Sequence, residues 1–223
     1  MNDSNISDED KLMKSQMEKM VPSYDSYMKK VTLGRERALR EETVNLAQVK
    51  AGDCILEIGC GTGTLTLAAK KKAGASGKAF GIDIIPGMIE ASQRKAAEAN
   101  EEITFRSGSI EDIPFSANQF DVVMCSFMIF HMSETTRRKG IAEIHRVLKP
   151  QGRLLVLDMA LPAQPLPRAI AKMLFGGMLE HELQELRPLM EASGFSNIEI
   201  APANFRILGL SILSYVRGSV RKS

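Results

Sequence analysis

Two kinds of apolar pattern alternate along most of the chain. Short, nearly continuous apolar runs such as Cys54–Ile58 are typical of strands that are buried on both faces. Between these runs, apolar residues recur at helical spacing, as in residues 35–49. The pattern predicts strands at Cys54–Ile58, Lys78–Asp83, Ile103–Ser107, Phe120–Phe127 and Leu154–Asp158, and helices at 35–49, 65–73, Pro86–Asn100 and Ser133–Leu148.

This alternation predicts an α/β fold with a mainly parallel sheet. It is interrupted at residues 161–167, which contain three prolines. Beyond them the sequence predicts helices at Ala169–Gly177 and Leu183–Ala192, closing strands at Ile198–Ala201 and Phe205–Val216, and a basic tail from Arg217 to Ser223.

Composition excludes several classes of protein. The net charge of +2 gives no large attraction for a phosphate backbone, so it disfavours nucleic acid as a partner. Three cysteines, an odd number, do not form a disulfide framework. The polar N-terminus carries no secretory signal, and no apolar run reaches the ~20 residues of a transmembrane helix. We therefore expect a cytoplasmic protein without a membrane span, whose basic tail is compatible with peripheral contact with anionic lipid.

Residues 57–64, Glu-Ile-Gly-Cys-Gly-Thr-Gly-Thr, are the most informative segment, because they join a buried strand to a helix. Glycines in such a turn let the backbone approach a ligand closely at the carboxyl ends of the strands. A dinucleotide site requires G-x-G-x-x-G, whereas Gly63 comes one position early and Thr64 stands where the third glycine would fall. The Lys-Ser/Thr pair of a P-loop is missing as well.

The loop resembles the E/D-x-G-x-G-x-G motif of the class I S-adenosylmethionine-dependent methyltransferases. Other segments resemble this family in the expected order, and together with the loop they span about half of the chain. The most similar group is the ubiquinone/menaquinone biosynthesis methyltransferase-like (type 11) group, although residues 157–160, Leu-Asp-Met-Ala, replace its usual L-E-F-S. The other matching segments are Asp83, residues 108–115, residues 120–123 and residues 143–152.

The resemblance implies a Rossmann-like, seven-stranded, mainly parallel sheet with helices on both faces and an antiparallel last strand. It implies an N-terminal helical cap at residues 1–34 and a methyltransferase domain at 35–223, with a helical cap insertion around 161–193. The implied cofactor is S-adenosylmethionine, and no metal is expected.

The family's cofactor contacts can be carried over residue by residue. The glycine loop lies beside the methionine half, Asp83 beside the ribose, residues 84 and 88 beside the adenosine, residues 109–111 beside the adenine, and residues 126–127 beside the sulfonium. Arg40 is expected to pair with the cofactor carboxylate, and Tyr24 to lie in a segment that folds over the site. The predicted cofactor-binding residues are therefore Tyr24, Arg40, Glu57, Gly59, Cys60, Gly61, Gly63, Asp83, Ile84, Met88, Ser109, Ile110, Glu111, Ser126 and Phe127.

The sequence thus predicts methyl transfer to a small-molecule acceptor, with an apolar, lipid-like or quinone-like molecule favoured. His131, just past the fourth strand, is a candidate general base, while a packing role for this histidine is an equal alternative. Two other functions stay open at this point: a non-catalytic, methyltransferase-like partner protein, and a nicotinamide-dependent oxidoreductase. The sequence indicates no oligomeric state.

Overall fold

The computed structural model describes residues 15–175 and 183–221. Within them, one seven-stranded sheet has the order β3-β2-β1-β4-β5-β7-β6. Strands β1 to β5 pair in parallel, whereas β7 runs antiparallel to both β5 and β6, which confirms the predicted topology. The strands are β1 Cys54–Ile58, β2 Lys78–Asp83, β3 Ile103–Ser107, β4 Phe120–Ser126, β5 Leu148–Met159, β6 Phe195–Pro202 and β7 Leu213–Val220.

Helices connect the strands, and residues 15–20 are helical as well. Short 3-10 turns occur at Val21–Ser23, Ile129–His131 and Leu183–Glu185. No helix in the described ranges is long and apolar enough to cross a membrane. The helices are α1 Tyr24–Val31, α2 Glu36–Leu46, α3 Thr64–Ala73, α4 Pro86–Glu98, α5 Glu134–Val147, α6 Pro165–Phe175 and α7 Leu186–Ala192.

The inner strands of the sheet are buried on both faces. Successive side chains of a strand point to opposite sides, so each face has its own core. In β4, Val123 and Cys125 belong to one core cluster with residues of α5 and α7. Val122 and Met124 belong to the other cluster, with residues of α2, α3 and α6. The helices therefore cover both faces, as predicted.

The predicted bounds of the last strands are wrong. The apolar residues 205–212 form a loop, in which Leu208 and Gly209 both have positive φ, and β7 begins only at Leu213. The predicted basic tail is largely strand, because Arg217 lies within β7 and donates to the backbone oxygen of Leu46 at 3.0 Å.

Two other boundaries differ for reasons of backbone geometry. Helix α5 passes directly into β5 at Leu148, so Leu148, predicted to end the helix, and residues 149–152, expected to form a turn between helix and strand, belong to the strand. Helix α6 begins at Pro165, four residues earlier than predicted. Prolines are tolerated in a first helical turn, whose N–H groups have no partner within the helix.

Candidate functional site

The glycine loop lies at the carboxyl end of β1 and leads into α3. Gly59, Gly61 and Gly63 have φ values of +66°, +52° and +78°, a region that other residues rarely adopt. At Gly63 an added Cβ would lie 2.8 Å from Ser92 Cβ and 2.9 Å from Phe105 Cζ. Gly63 therefore lets α3 pack closely against its neighbours, which is a structural role.

The other two glycines of the loop face movable side chains. A Cβ on Gly59 would lie 2.9 Å from Met128 Cγ, and one on Gly61 would lie 3.4 Å from the Tyr24 ring. Met128 and Tyr24 thus cover the backbone of the loop at Gly59 and Gly61. Both are partly buried side chains rather than backbone, so this is the part of the loop that could open to a ligand.

Asp83, at the end of β2, supports the same loop. Its Oδ2 accepts a hydrogen bond from the Gly61 N–H at 2.9 Å, and its Oδ1 accepts one from the Ile85 N–H at 3.0 Å. Burial raises the pKa of this carboxyl, against the effect of these hydrogen bonds. A carboxylate has about four acceptor positions. Asp83 therefore retains acceptor capacity for hydroxyl groups beside the glycine loop.

Glu57, in β1, and Arg40, in α2, are two buried ionisable residues whose charges influence each other. Glu57 is 2% exposed and accepts a hydrogen bond from the Thr66 hydroxyl. Burial raises the pKa of Glu57 to about 7, and the charge of Arg40 opposes the rise. Arg40 is 5% exposed and donates from Nη2 to Glu36 Oε1 at 3.1 Å, and its buried Nε has no partner in the part of the chain that the structure describes. An unsatisfied buried guanidinium N–H is costly, so this position suits an anionic ligand group.

Helix α1 is attached to the glycine loop through polar contacts. Thr62 donates to Asp25 Oδ1 at 2.6 Å, and Lys95 Nζ lies 2.8 Å from Asp25 Oδ2. The same Lys95 ammonium donates to the hydroxyls of Thr62 and Thr64, each at 2.9 Å. These contacts hold Tyr24, the first residue of α1, over the loop. Burial raises the pKa of Tyr24 to about 12, so its hydroxyl stays a neutral donor.

The three residues predicted to lie beside the adenine, 109–111, have different surroundings. Ser109 Oγ accepts from the Glu111 N–H at 3.2 Å and is half-buried. Ile110 is buried against α5, where a Cβ on Gly140 would lie 2.7 Å from its Cδ1. Glu111 forms an ion pair with Lys139 at 3.3 Å. Two of these three side chains are thus engaged by α5, which leaves Ser109 and the backbone for a ligand.

The remaining predicted contacts differ in accessibility. Ile84 is 40% exposed at the end of β2, while Met88 is fully buried in α4. Cys60 is buried, and burial raises the pKa of its thiol, which argues against a nucleophile. Ser126 ends β4 and is nearly buried. Phe127 follows it with φ +57°, a strained conformation of the kind that clusters at functional sites.

Sequence reasoning missed Asp158, near the carboxyl end of β5. This residue is 6% exposed, its Oδ1 accepts from the Met159 N–H at 2.8 Å, and its buried Oδ2 has no partner within the described residues. Burial raises its pKa to about 7. A carboxyl at the end of an otherwise apolar run, Leu154–Leu157, was the signal that could have indicated it.

The histidine predictions can be placed only in part. The backbone of His131 ends the 3-10 turn after β4, but its side chain lies outside the described part of the structure, as does all of His181. Among the described residues, no group of three or more His, Cys, Asp or Glu side chains could hold a metal ion.

A surface cavity of about 700 Å³ lies away from the glycine loop. Its lining includes Phe80, Arg106, Phe115, Glu143 and Arg146, and none of the predicted cofactor residues. Glu143 and Arg146 pair with each other at 2.7 Å, so their charges are already compensated. The chemistry of the loop, with its acids, guanidinium and open backbone, gives a better account of ligand binding than this cavity does.

Comparisons with known proteins identify the family. The family described as "Methyltransferase domain" matches residues 55–152, from β1 to the first half of β5. The demethylmenaquinone methyltransferase of Lactiplantibacillus plantarum is 28% identical over 211 residues, which are 83% of this chain and 88% of that protein. The ubiquinone/menaquinone biosynthesis C-methyltransferase UbiE of Citrifermentans bemidjiense is 30% identical over 162 residues, 72% of this chain and 68% of that protein.

The fold is likewise shared with solved structures. The crystal structure of a SAM-dependent methyltransferase from Aquifex aeolicus superposes with a TM-score of 0.68 at 18% identity, covering 91% of this chain and 98% of that one. At this identity the likeness concerns the fold alone, and the sequence relatives carry the family.

Proposed function

This chain belongs to the class I S-adenosylmethionine-dependent methyltransferases of the quinone-biosynthesis type, and on that premise we propose that it methylates a quinone-like, apolar small molecule. Family membership makes it an enzyme that uses S-adenosylmethionine as methyl donor. It disfavours the two alternative functions that the sequence left open, a non-catalytic partner protein and a nicotinamide-dependent oxidoreductase.

The residues of the site fit this cofactor. The buried Arg40 Nε, which has no partner among the described residues, is the observation that carries the cofactor assignment, because the cofactor's carboxylate would satisfy it. The acceptor class rests on the quinone methyltransferases among the relatives. The open backbone at Gly59 and Gly61, now covered by Met128 and Tyr24, would admit the methionine half. Asp83 would accept from the ribose hydroxyls with its remaining lone pairs.

When bound, the cofactor supplies an electrophilic methyl group on a sulfonium. The chain then has to position the acceptor and exclude water. We propose that Phe127 and Met128 form the apolar wall between cofactor and acceptor, because both directly follow β4 and Met128 lies against Gly59 of the loop. Helix α1, held by Asp25 and Lys95, would close the site from the opposite side as part of a cap at residues 1–34.

A carbon or hydroxyl acceptor loses a proton in the overall reaction, so the enzyme needs a place to put it. Asp158 is suited to this step in its ionised form, since its Oδ2 has no partner among the residues that the structure describes and burial brings its pKa to about 7. His131 remains the second candidate from the sequence. We further propose a reducing, cytoplasmic environment, with which three free cysteines are compatible.

The test is transfer of a labelled methyl group from S-adenosylmethionine to a reduced demethylated naphthoquinone with a short side chain. Wild-type protein is expected to methylate it. Gly61→Val is expected to be inactive, because a branched side chain at φ +52° would meet the Tyr24 ring and fill the cofactor's space. Cofactor binding without methylation of any quinol would refute the proposed acceptor while leaving the cofactor site intact.

A further inference from the structure

Helix α6 exposes an apolar stripe. Leu166 and Met173 are 72% and 78% exposed, and Ile170 is 36% exposed. The three residues are spaced i, i+4 and i+7, so they share one face of the helix. Ala171, on another face, is fully buried in the core cluster that also contains Phe205. The helix is therefore anchored to the domain on one side and presents large apolar side chains to the surroundings on another.

Cations lie on and near this stripe. Residues 160–179 contain Arg168 and Lys172 but no acidic residue, and Glu180 and Glu182 follow them in the sequence. Beyond Glu199, the exposed Arg206 adds a further cation, whereas Arg217 is paired with Glu199. An amphipathic helix with an apolar face and flanking cations is typical of segments that lie in the interface of an anionic bilayer.

The loop before β7 carries a further exposed apolar residue next to a cation. Leu208 is 60% exposed at the tip of the turn closed by Ile207 and Leu210. Ile207 belongs to the same buried cluster as Ala171, so the loop and α6 are based on the same part of the core. Arg206 precedes this turn and is exposed.

We propose that α6 docks this enzyme on an anionic lipid bilayer, with Leu166, Ile170 and Met173 inserted among the lipid headgroups. Three side chains on one helix form a far smaller patch than the ~800 Å² that each partner of a stable protein complex buries, whereas a fluid bilayer needs no shape complementarity. The physiological sense of the docking rests on the proposed function, because an apolar acceptor partitions into membranes. The docking itself is independent of methyl transfer.

The experiment is co-flotation of the full chain with vesicles of phosphatidylcholine alone or with about one third phosphatidylglycerol. Wild type is expected to float with the anionic vesicles, to bind them at least tenfold more weakly in about 0.5 M NaCl, and to bind neutral vesicles weakly. The double variant Leu166→Ser, Met173→Ser is expected to lose at least tenfold in affinity. Tyr27→Ser, which removes an exposed apolar side chain from α1 instead, is the matched control and is expected to bind like wild type.

Thermal melting and S-adenosylmethionine binding of each variant separate docking from folding and from the proposed function. Docking is supported if the double variant binds the cofactor normally but no longer floats. Unchanged flotation of the double variant, or no flotation of wild type, would overturn the proposal. A concentration-dependent dimer that the double variant abolishes would also overturn it, since α6 would then be a contact between copies of the chain.

Discussion

Replacing Asp158 by Asn removes an ionisable group whose environment disfavours its charge. The carboxyl is 6% exposed, and burial raises its pKa from 3.8 to about 7. The folded protein therefore holds a proton on Asp158 at pH values where the unfolded chain has released it. The stability that this proton contributes is fully present below about pH 4 and is lost as the pH rises to about 7. The pKa difference corresponds to about 4 kcal/mol in the free energy of unfolding.

Asparagine has nearly the same shape and no titration. The free energy of unfolding of Asp158→Asn relative to wild type is therefore expected to increase by about 4 kcal/mol between pH 4 and pH 8. Any cost of the amide itself is constant over this range. The buried Glu57 titrates in both proteins, so its contribution cancels in the difference. Urea unfolding of the two proteins at several pH values, compared at equal m-value, measures the change.

Glu199→Gln provides a control of opposite sign. Hydrogen bonds from Tyr215 and Arg217 hold the pKa of Glu199 below its usual value, so its carboxylate stabilises the fold at high pH. That variant should lose stability relative to wild type as the pH rises through the normal range of a glutamate. A relative stability of Asp158→Asn that is flat within about 0.5 kcal/mol from pH 4 to pH 8 would show that Asp158 is not desolvated as described.

Three further substitutions test individual contacts. Arg40→Gln should weaken S-adenosylmethionine binding at least tenfold by calorimetry but leave methylthioadenosine, which lacks the carboxylate, unaffected; equal losses for both ligands would contradict the carboxylate contact. Gly63→Ala should lower stability by about 1–3 kcal/mol more than Gly34→Ala, because both glycines have positive φ but only Gly63 is crowded by neighbouring side chains; equal melting temperatures would contradict this. Asp25→Asn should change stability little, since the ion pair is partly exposed, but should speed hydrogen exchange in α1 several-fold; unchanged exchange would show that the contact does not hold the helix.

The inner strands of the sheet were predictable because they are buried on both faces. The bounds of β1 and β2 agree with the predicted strands Cys54–Ile58 and Lys78–Asp83. Continuous apolar runs are typical of strands in the interior of a parallel sheet. The same criterion failed at residues 205–212, where Phe205, Ile207 and Ile212 are buried in a core cluster although they belong to a loop. The apolar residues there indicate burial but not strand structure. The positive φ angles of Leu208 and Gly209, which show that the chain turns, cannot be read from hydrophobicity.

The candidate site was predictable where the backbone determines it. The glycine loop and Asp83 lie where their motif placed them, at the ends of β1 and β2. Contacts between distant segments were not predictable in detail. The bridge from Asp25 to Lys95 joins residues 70 positions apart, and the lack of a partner for Asp158 Oδ2 among the described residues depends on what surrounds β5. Neither feature can be predicted from the spacing of residues within one segment of the sequence.

The most direct test of the central claim is calorimetric titration of the full chain with S-adenosylmethionine, with the Gly61→Val variant titrated in parallel. One saturable binding event per chain, abolished in the variant while its fold is retained, is the predicted result. Absence of heat and of any thermal shift in wild type, or binding of equal strength in Gly61→Val, would contradict the assignment of the glycine loop as the cofactor site.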